Sequence, residues 1–300
     1  MFNRISTQTK ICTILLCLWG ITCIGQENVD GKRLTLGLYI GSTIANAYSA
    51  PLYDGYGVDI DGNRNSYSNS WMYQKIITQY GGYASPALPD QIAEALNVDY
   101  HTWTFSSANM PSNMRYQPGI TIGLNTRYSV DNWNGIIMNI NLSRITASGN
   151  FTIETPQAPN SGQLNDFVNT FSIIGVEQRM VLLFGYQRIF EQEGKVNYLI
   201  EGGLNATVAK MARNFIVIND LTIDLTTSLN DAINAPNALP IQKPIGVGFG
   251  AFAGIGIDVS TSDKYSAQLV YNPSMEKINI GAFPAYKLQH AIGLRFYYNL

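Results

Sequence analysis

Residues 287–300 have the sequence KLQHAIGLRFYYNL, in which alternate positions fall into two chemical classes. The mostly apolar class comprises Leu288, His290, Ile292, Leu294, Phe296, Tyr298 and Leu300. The other class is small or polar and includes Gly293 and Arg295. Side chains with a period of two lie on opposite faces of a β-strand, and a tilted strand of about 9 to 11 residues crosses a bilayer. The segment therefore predicts a membrane-spanning strand with one face toward lipid.

The same alternation recurs in seven earlier segments. They are residues 33–48, 117–130, 135–148, 171–188, 195–211, 245–259 and 264–272. Large apolar residues occupy most positions of one face, and small, polar or charged residues occupy most of the other; Gln178 is an exception on an apolar face. Single-chain bacterial barrels have an even number of strands. The sequence therefore predicts an all-β fold, an eight-stranded antiparallel transmembrane β-barrel.

The predicted connections alternate between short and long. The short ones are residues 131–134, 191–194 and 261–263, and the long ones are residues 49–116, 149–170, 212–244 and 273–285. Bacterial barrels have short periplasmic turns and long extracellular loops, so both chain termini are predicted to lie in the periplasm. Aromatic residues at the periplasmic strand ends are predicted to form an interfacial girdle, which comprises Tyr128, Trp133, Tyr186, Tyr198 and Tyr265.

The amino-terminal residues have the features of a secretory signal peptide. Arg4 and Lys10 accompany the apolar run 11–24, and cleavage is predicted before Gln26. Residues 1–25 are thus predicted to be the signal peptide and residues 26–300 the barrel domain; a lone membrane anchor is disfavoured because the run is short. The three cysteines, Cys12, Cys17 and Cys23, all lie in the signal. The mature chain is therefore expected to have no disulfide and no cysteine-based catalytic or metal site.

The low content of charged residues also narrows the classes of protein to which this chain can belong. Only 13% of the residues are charged, which is low for a soluble protein, and no stretch of about eighteen apolar residues beyond the amino terminus predicts a transmembrane helix. Loss of the signal removes two of the 19 basic residues and none of the 21 acidic ones. The mature chain is thus net negative, and nucleic acid is not an expected partner.

Charged residues on the inward faces are balanced in sign. Eight strands enclose a lumen that side chains can fill, and an unpaired charge in such an interior is costly. We therefore predict a charge network inside the barrel, formed by Arg127, Glu177, Arg179, Glu201, Asp258 and Arg295. The same residues leave open a charged translocation path.

Few residues are candidates for chemistry. His290 falls on the lipid-facing side of the last predicted strand, whereas His101, in the first long loop, is a candidate base for a surface hydrolase. Residues 59–63, DIDGN, contain part of the pattern of a calcium loop but lack its ligand spacing and closing Glu, which favours a turn. No catalytic, cofactor-binding or metal-binding residue is assigned.

The first long loop, residues 49–116, is too long for a simple connection and is rich in Tyr and Trp. These side chains give contact area at little entropic cost, so the loop is predicted to fold as a lid over the barrel or to bind a partner or a glycan. Residues 89–98 are predicted to form a short helix. In the third long loop, residues 215–218 and 221–225 predict a hairpin.

With the signal peptide and the alternating strands, the terminal sequence GLRFYYNL at residues 293–300 resembles the small outer-membrane barrels of Bacteroidota, known as PorT-like or outer-membrane β-barrel domain proteins. The architecture is also similar to the OmpA-type transmembrane domain. The resemblance implies surrounding outer-membrane lipids and a terminal signal, Phe296, Tyr298 and Leu300, for the barrel assembly machinery, although Leu replaces the usual final Phe. Some members serve secretion, which implies an envelope or secretion complex as a partner.

These features predict a non-enzymatic integral outer-membrane protein whose loops cap the barrel or bind a partner or ligand. One alternative is a narrow channel, which single-channel conductance would reveal. The other is a hydrolase carried by the loops, whose activity would depend on His101.

Overall fold

The computed structural model describes residues 34–59, 61–78, 87–99, 102–131, 133–156, 167–190, 195–227, 243–260, 262 and 264–299. The predicted signal peptide, His101, Leu300 and the short connection 191–194 lie outside the described residues. The predictions made for them stay predictions.

Nine antiparallel strands form one sheet. They are β1 (Leu34–Ile44), β2 (Arg115–Ser129), β3 (Asn134–Thr155), β4 (Phe167–Phe190), β5 (Val196–Ile218), β6 (Leu221–Asp224), β7 (Ile245–Ser260), β8 (Tyr265–Asn279) and β9 (Tyr286–Asn299). Eight of them close into a ring in the order β1-β2-β3-β4-β5-β7-β8-β9, with β9 paired to β1, while β6 pairs with the end of β5. The predicted fold class, an eight-stranded antiparallel barrel, is confirmed.

The two faces of each strand have the predicted environments. On β1, Leu38 is 62% exposed and its neighbour Tyr39 is 5% exposed; on β2, Leu124 and Asn125 are 60% and 1% exposed. Outward apolar side chains on all eight strands form a continuous ring, here called the apolar belt, that includes Leu38, Leu124, Met138, Leu182, Leu204, Phe249, Leu269 and Leu294. An apolar surface of this extent requires lipid rather than water around it, and closure leaves no unpaired strand edge in the hydrocarbon.

No helix among the described residues combines the length and the apolar character that a bilayer crossing demands.

Four strands are several residues longer than predicted. β8 has 15 residues, and the three longest strands, β3, β4 and β5, have 22, 24 and 23 residues. The predicted loop 149–170 shrinks to residues 156–166, and the last loop, predicted at 273–285, shrinks to residues 280–285. With β6, the three longest strands form an extension beyond the belt, here called the wall and comprising residues 144–155, 167–178 and 210–224. The predicted hairpin is confirmed as the end of β5 with β6, where Ile218 pairs with Leu221.

The wall keeps the two-residue period and has an apolar buried face, and on β3 its two faces are exchanged relative to the belt, whereas on β4 its outward column is mixed and includes the exposed Val168. On β3 the outward residue changes from Leu142 to Arg144, while the buried inward residues change from Ser143 to Ile145 and then Phe151. Arg144 pairs in register with Gln178 of β4, and Gln178 pairs with Lys210 of β5. Gln178, the exception in the predicted pattern, thus belongs to a polar row that marks the upper edge of the belt.

The described residues of the loop between β1 and β2, namely 45–59, 61–78, 87–99 and 102–114, fold into a cap. It contains a 3-10 helix (Ala47–Tyr53), 3-10 turns at Tyr67–Asn69 and Ser107–Asn109, an α-helical turn (Trp71–Tyr73) that continues as a π-helix (Gln74–Thr78), and helix α1 (Leu88–Leu96). The predicted helix 89–98 is confirmed with slightly different bounds; it ends at Leu96 and is capped by Asn97, whose φ of 55° is left-handed. Cap residues such as Met72, Ile76 and Ile92 are fully buried against wall residues such as Phe151 and Ile216.

Candidate functional site

A buried ion pair crosses the lumen of the barrel. Arg295 on β9 donates from Nη1 and Nη2 to the two carboxylate oxygens of Glu201 on β5, at 2.6 and 2.7 Å. Gln187 and Asn272 donate to the same carboxylate at 2.9 and 2.8 Å. Because β7 and β8 separate β5 from β9 in the ring, the contact joins distant walls. A bidentate pair with additional donors has the geometry that offsets the cost of burying two charges.

A second buried pair lies where the cap meets the barrel. Arg179 donates from Nε to Glu177 Oε1 at 2.5 Å and from Nη1 to Gln289 Oε1 at 3.3 Å, on the opposite wall. Two hydroxyls donate to Glu177 Oε2, that of Tyr53 from the cap at 2.9 Å and that of Tyr116 from β2 at 2.7 Å. These five residues, here called the cap junction, fix the cap to both sides of the barrel.

Arg127 and Asp258, predicted to join one network with the other charged residues, form no ion pair with any described residue. The Nε atom of Arg127 lies beside Gly135 of the adjacent strand, only 2.7 Å from where a Cβ would be. Arg127 therefore lies along its own wall, and Asp258 accepts a hydrogen bond from Gln268 on the strand next to it, at 2.9 Å. Four of the six predicted residues thus form two ion pairs among the described residues, and a network of all six stays a prediction.

Glu276 is a buried carboxylate in a segment that the sequence pattern assigned to a loop. β8 continues past Pro273 to Asn279, so Glu276 faces inward and is 3% exposed. Asn205 and Thr207 donate to its Oε2 at 2.7 and 2.6 Å. Pro273 ended the predicted strand because Pro is rare inside strands. The length of the predicted last strand could have indicated that β8 continues past Pro273, because a long strand needs a neighbouring strand of similar length.

A cavity of about 50 Å³ lies between these groups, lined by polar residues such as Asn141, Arg179 and Glu276 and by apolar residues such as Leu183 and Phe252. This volume holds about one or two water molecules. A sugar or a larger organic ligand needs several times more space. The cavity is therefore a solvation site for the polar interior rather than a substrate pocket.

The cap has buried polar groups of its own. Arg64 Nη2 donates to Asp54 Oδ2 at 2.5 Å, and its guanidinium lies 3.7 Å from the ring centre of Tyr56. Burial raises the pKa of Asp54 above its usual value, against the opposing effects of the Tyr56 N–H and of Arg64. Burial, followed by the charge of Glu177, raises the pKa of Tyr53 well above 10.0, and burial raises the pKa of Tyr67 to about 12.

Asp59 and residues 61–63 lie in a turn, in which the backbone N–H of Gly62 donates to the carbonyl oxygen of Asp59 at 3.1 Å. The Asp59 carboxylate accepts hydrogen bonds from the backbone N–H groups of Asp61 and Asn63, at 2.9 and 2.8 Å. Within the part of the chain that the structure describes, no group of three or more His, Cys, Asp or Glu side chains is placed to hold a metal ion. The Asp59 oxygens thus stabilise the turn itself, as the spacing predicted.

His290 lies on the outward face of β9. Its Nδ1 is 2.7 Å from the hydroxyl of Tyr271 on β8, and the two rings are stacked with centres 6.0 Å apart. Its position matches the lipid-facing side predicted for it. His101, the histidine proposed as a hydrolase base, lies outside the described residues.

Aromatic residues predicted for the girdle lie at the end of the barrel that carries the short turns. Tyr128, Tyr186, Tyr198 and Tyr265 are exposed on the outward face, and Trp133 is half-buried in the turn between β2 and β3. Phe296 and Tyr298 of the predicted assembly signal are also outward and exposed, and Tyr298 pairs in register with Tyr265. Their roles as girdle and assembly signal remain predictions.

The comparisons with known proteins give likenesses to solved structures alone. No family model and no curated protein matches the chain. Neisserial surface protein A (NspA) is similar at a TM-score of 0.36 and 6% identity, over 90% of this chain and 98% of that chain. Ail, the attachment invasion locus protein of Yersinia pestis, is similar at a TM-score of 0.33 and 8% identity, over 89% and 99% of the two chains. Ail in complex with the heparin analogue sucrose octasulfate gives 0.35 and 10%, over 88% and 97%.

Proposed function

We propose that this chain is an integral outer-membrane protein that holds a folded cap at the cell surface as a binding platform, and that it is neither a channel nor an enzyme. In this proposal residues 1–25 direct export, and both termini lie in the periplasm. Phe296, Tyr298 and Leu300 are recognised by the barrel assembly machinery. The cap then faces outward and is available to an envelope or secretion complex or to another surface partner.

The observation that carries the proposal is the cap junction. Glu177 receives hydroxyl hydrogen bonds from Tyr53 and Tyr116, and Arg179 reaches Gln289 on the opposite wall. These contacts hold the cap over the lumen and bring side chains from facing walls together. A mobile loop over an open pore has no need of buried charged contacts of this kind, whereas a fixed platform does.

The lower lumen supports the same conclusion. The Arg295–Glu201 pair joins distant walls, and Ile137, Leu183 and Phe252, from three different strands, form an apolar cluster inside the barrel. An eight-stranded barrel is just wide enough for side chains to fill. Filled by side chains at these levels, the barrel is suited to anchoring rather than to conduction.

The channel alternative is tested by conductance. The full-length protein, reconstituted in planar bilayers at neutral pH, is expected to give no discrete conductance steps. Regular steps that persist in the wild-type protein and scale with salt concentration would contradict the platform proposal and support the channel.

The proposed orientation is tested by labelling in intact cells. Asp61→Cys places a thiol on the exposed cap, and Lys264→Cys places one at the short-turn end; both positions are exposed. A membrane-impermeant maleimide is expected to label Asp61→Cys in intact cells and Lys264→Cys only after the outer membrane is opened. The reverse pattern would place the cap in the periplasm and refute the platform.

The hydrolase alternative rests on His101. Lipid and ester hydrolysis by the purified protein is expected to equal that of His101→Ala, at the background level. Activity that the wild-type protein shows and His101→Ala loses would show that the cap carries a catalytic site.

A further inference from the structure

Two basic side chains face outward at the upper edge of the apolar belt. Arg144 on β3 and Lys210 on β5 flank Gln178 on β4, and the three residues are direct partners in the strand register. All three are exposed. Because neighbouring strands lie about 4.8 Å apart, the backbones that carry the two cations are about 10 Å apart on one surface. We call these three residues the basic row.

The position of the row along the strands corresponds to the level of lipid headgroups. One step toward the barrel on the same outward columns lie Leu142, Met180 and Val208, which are apolar and partly or fully exposed. One step the other way on β3 the outward residue is Thr146. A cation placed where an apolar outer surface gives way to a polar one lies beside the phosphates of the surrounding lipid.

Among the described residues, the cations of the row have no partner of opposite charge. Arg144 and Lys210 form no ion pair with the carboxylates that the structure describes. The described carboxylates of the wall outside its buried face are those of Glu154, which accepts from Asn109, of Asp220 in the turn between β5 and β6, and of Asp224, whose Oδ2 lies 3.7 Å from Arg213 Nε. The positive charge of the row is therefore available to an external anion.

A polar groove lies higher on the same face. It has a volume of about 490 Å³ and is lined by Asn113, Arg115, Gln117, Ser148, Gly149, Asn150, Ser172 and Ile174. Ser148 and Arg144 are four residues apart on β3, about 13 Å along the strand. The lining offers amides, hydroxyls and one guanidinium and includes no carboxylate. Such a surface matches the hydroxyls and phosphates of a sugar, and its volume lies in the range of small-ligand sites.

We propose that the basic row and the polar groove together bind the phosphorylated sugar headgroup of an anionic glycolipid in the leaflet on the cap side. Arg144 and Lys210 bind phosphate groups at the membrane surface, and the groove, with Arg115, binds the sugar above them. The acyl chains then lie along the apolar belt beneath the row. The inference relies on insertion through the belt and is independent of the role of the cap as a platform.

The test uses the full-length protein in phosphatidylcholine nanodiscs with added lipid A, a diphosphorylated glucosamine-disaccharide lipid, and counts bound lipid by native mass spectrometry. Arg144→Gln/Lys210→Gln is expected to weaken lipid A binding at least about tenfold, because each cation near a membrane surface raises the affinity for anionic lipid about fivefold. The matched control Arg188→Gln/Lys264→Gln removes two exposed cations at the short-turn end and is expected to leave binding unchanged. Equal binding by the row variant and the wild-type protein would overturn the proposal.

Further measurements with other ligands test whether the bound molecule is a lipid and whether its sugar is recognised. Phosphatidylglycerol, which is anionic but has no sugar, is expected to bind less tightly than lipid A, and Arg115→Gln is expected to reduce that preference. Soluble glucosamine phosphate is expected to bind more weakly than the lipid; equal affinity would show a site for a free phosphosugar and overturn the lipid assignment. Equal affinity for phosphatidylglycerol and lipid A would overturn the sugar assignment. Heat-dependent gel mobility of each variant reports that the barrel is folded, and the labelling of Asp61→Cys tests the platform separately.

Discussion

The wall continues the strands of the belt with the same two-residue period, and on β3 the two regions have faces of opposite polarity. Along β3 the belt presents Leu142 outward and buries Ser143, whereas the wall buries Phe151 and Ile153 and presents polar residues outward. The hydrogen-bonded ladder between β3 and β4 continues through the change. The strand pairing is thus the same where the outward face is apolar and where it is polar, and only the surroundings of the two faces differ.

The difference shows that the solvent decides which face is apolar. In the belt the outward face meets lipid, so apolar side chains are placed outward and polar ones pair in the lumen. In the wall the outward face meets water, so apolar side chains turn inward against the cap, where the hydrophobic effect stabilises them. Substitutions of the same kind should therefore have different effects on stability in the belt and in the wall.

The largest expected effect is in the lumen of the belt region. Arg295→Met leaves Glu201 as a buried carboxylate without its cation, and removing one member of such a pair costs about 3 to 5 kcal/mol. We expect a loss of this size in the free energy of unfolding, measured by urea titration of the protein in lipid vesicles. The double variant Arg295→Met/Glu201→Leu should recover most of the loss, because neither charge remains. A double variant as unstable as the single one would show that packing, not charge, dominates at this site.

The next effect concerns the wall and the cap. Ile92 of α1 is fully buried in the core that the cap shares with the wall, and Ile92→Ala should cost about 2 to 5 kcal/mol of local stability through lost contacts and a cavity. We expect faster hydrogen exchange in the cap and unchanged exchange in the lower barrel. The exposed cap position Asn69→Ala serves as control. If Ile92→Ala loosened the lower barrel as much as the cap, the two regions would form one cooperative unit.

Much of the barrel could be predicted from the sequence, because alternation beside lipid leaves a strong pattern. Leu38, Leu124 and Leu204 are outward as predicted, and the ring of eight follows from counting such segments. The upper parts of β3, β4 and β5 were missed because their outward faces no longer carry an unbroken series of large apolar residues. On β3, for example, the outward residues from Arg144 onward are polar. A search for strands with an apolar outward face assigns such a stretch to a loop.

Side-chain partners were less predictable than strands. The alternation along the strands correctly predicted that Arg295 and Glu201 face the lumen. Which residues meet across the lumen, however, depends on the tilt of the strands, and a single sequence does not specify that tilt. For this reason the six charged residues were predicted as one network without specific partners, and the structure shows ion pairs for four of them, with Arg127 and Asp258 in none among the described residues. The junction between Tyr53 and Glu177 was also missed, because the path of a 70-residue loop depends on long-range packing.

A charge on β4 discriminates directly between the two outward faces. Leu182 lies on the belt and Thr170 lies on the wall, and both are outward and exposed. Leu182→Arg should destabilise the inserted barrel by about 2 to 4 kcal/mol, the cost of a cation facing lipid near mid-bilayer. Thr170→Arg should have little effect because its side chain stays in water. Equal losses in vesicle unfolding experiments would mean that the wall also lies in lipid.

A smaller effect is expected where the regions join. Tyr53→Phe removes one hydrogen bond to the buried Glu177 carboxylate, and hydrogen bonds to charged groups contribute about 1.5 to 3 kcal/mol. We expect more rapid proteolysis of the cap, with the barrel intact. Tyr73→Phe is a matched control in the same cap. Unchanged protection of the cap in Tyr53→Phe would show that apolar packing alone holds it in place.

The smallest effect compares two carboxyl groups in different surroundings. Asp131, exposed in the turn after β2, accepts hydrogen bonds from the Asn134 side chain and from the backbone N–H groups of Trp133 and Asn134, and these lower its pKa below 3.8. Asp54, buried in the cap, has a pKa raised above 3.8 by burial. NMR titration of the protein in detergent micelles should therefore give midpoints on opposite sides of 3.8.

The two shifts have opposite consequences for stability. A lowered carboxyl pKa stabilises the fold above the usual value, and this contribution is lost as pH falls through the lowered pKa. A raised carboxyl pKa has the reverse sign, so the cap should lose stability as pH rises from 3.8 through the pKa of Asp54. Asp131→Asn and Asp54→Asn should each remove the corresponding pH dependence and leave the other. Midpoints on the same side of 3.8 would show that the cap carboxyl is as well hydrated as the one in the turn.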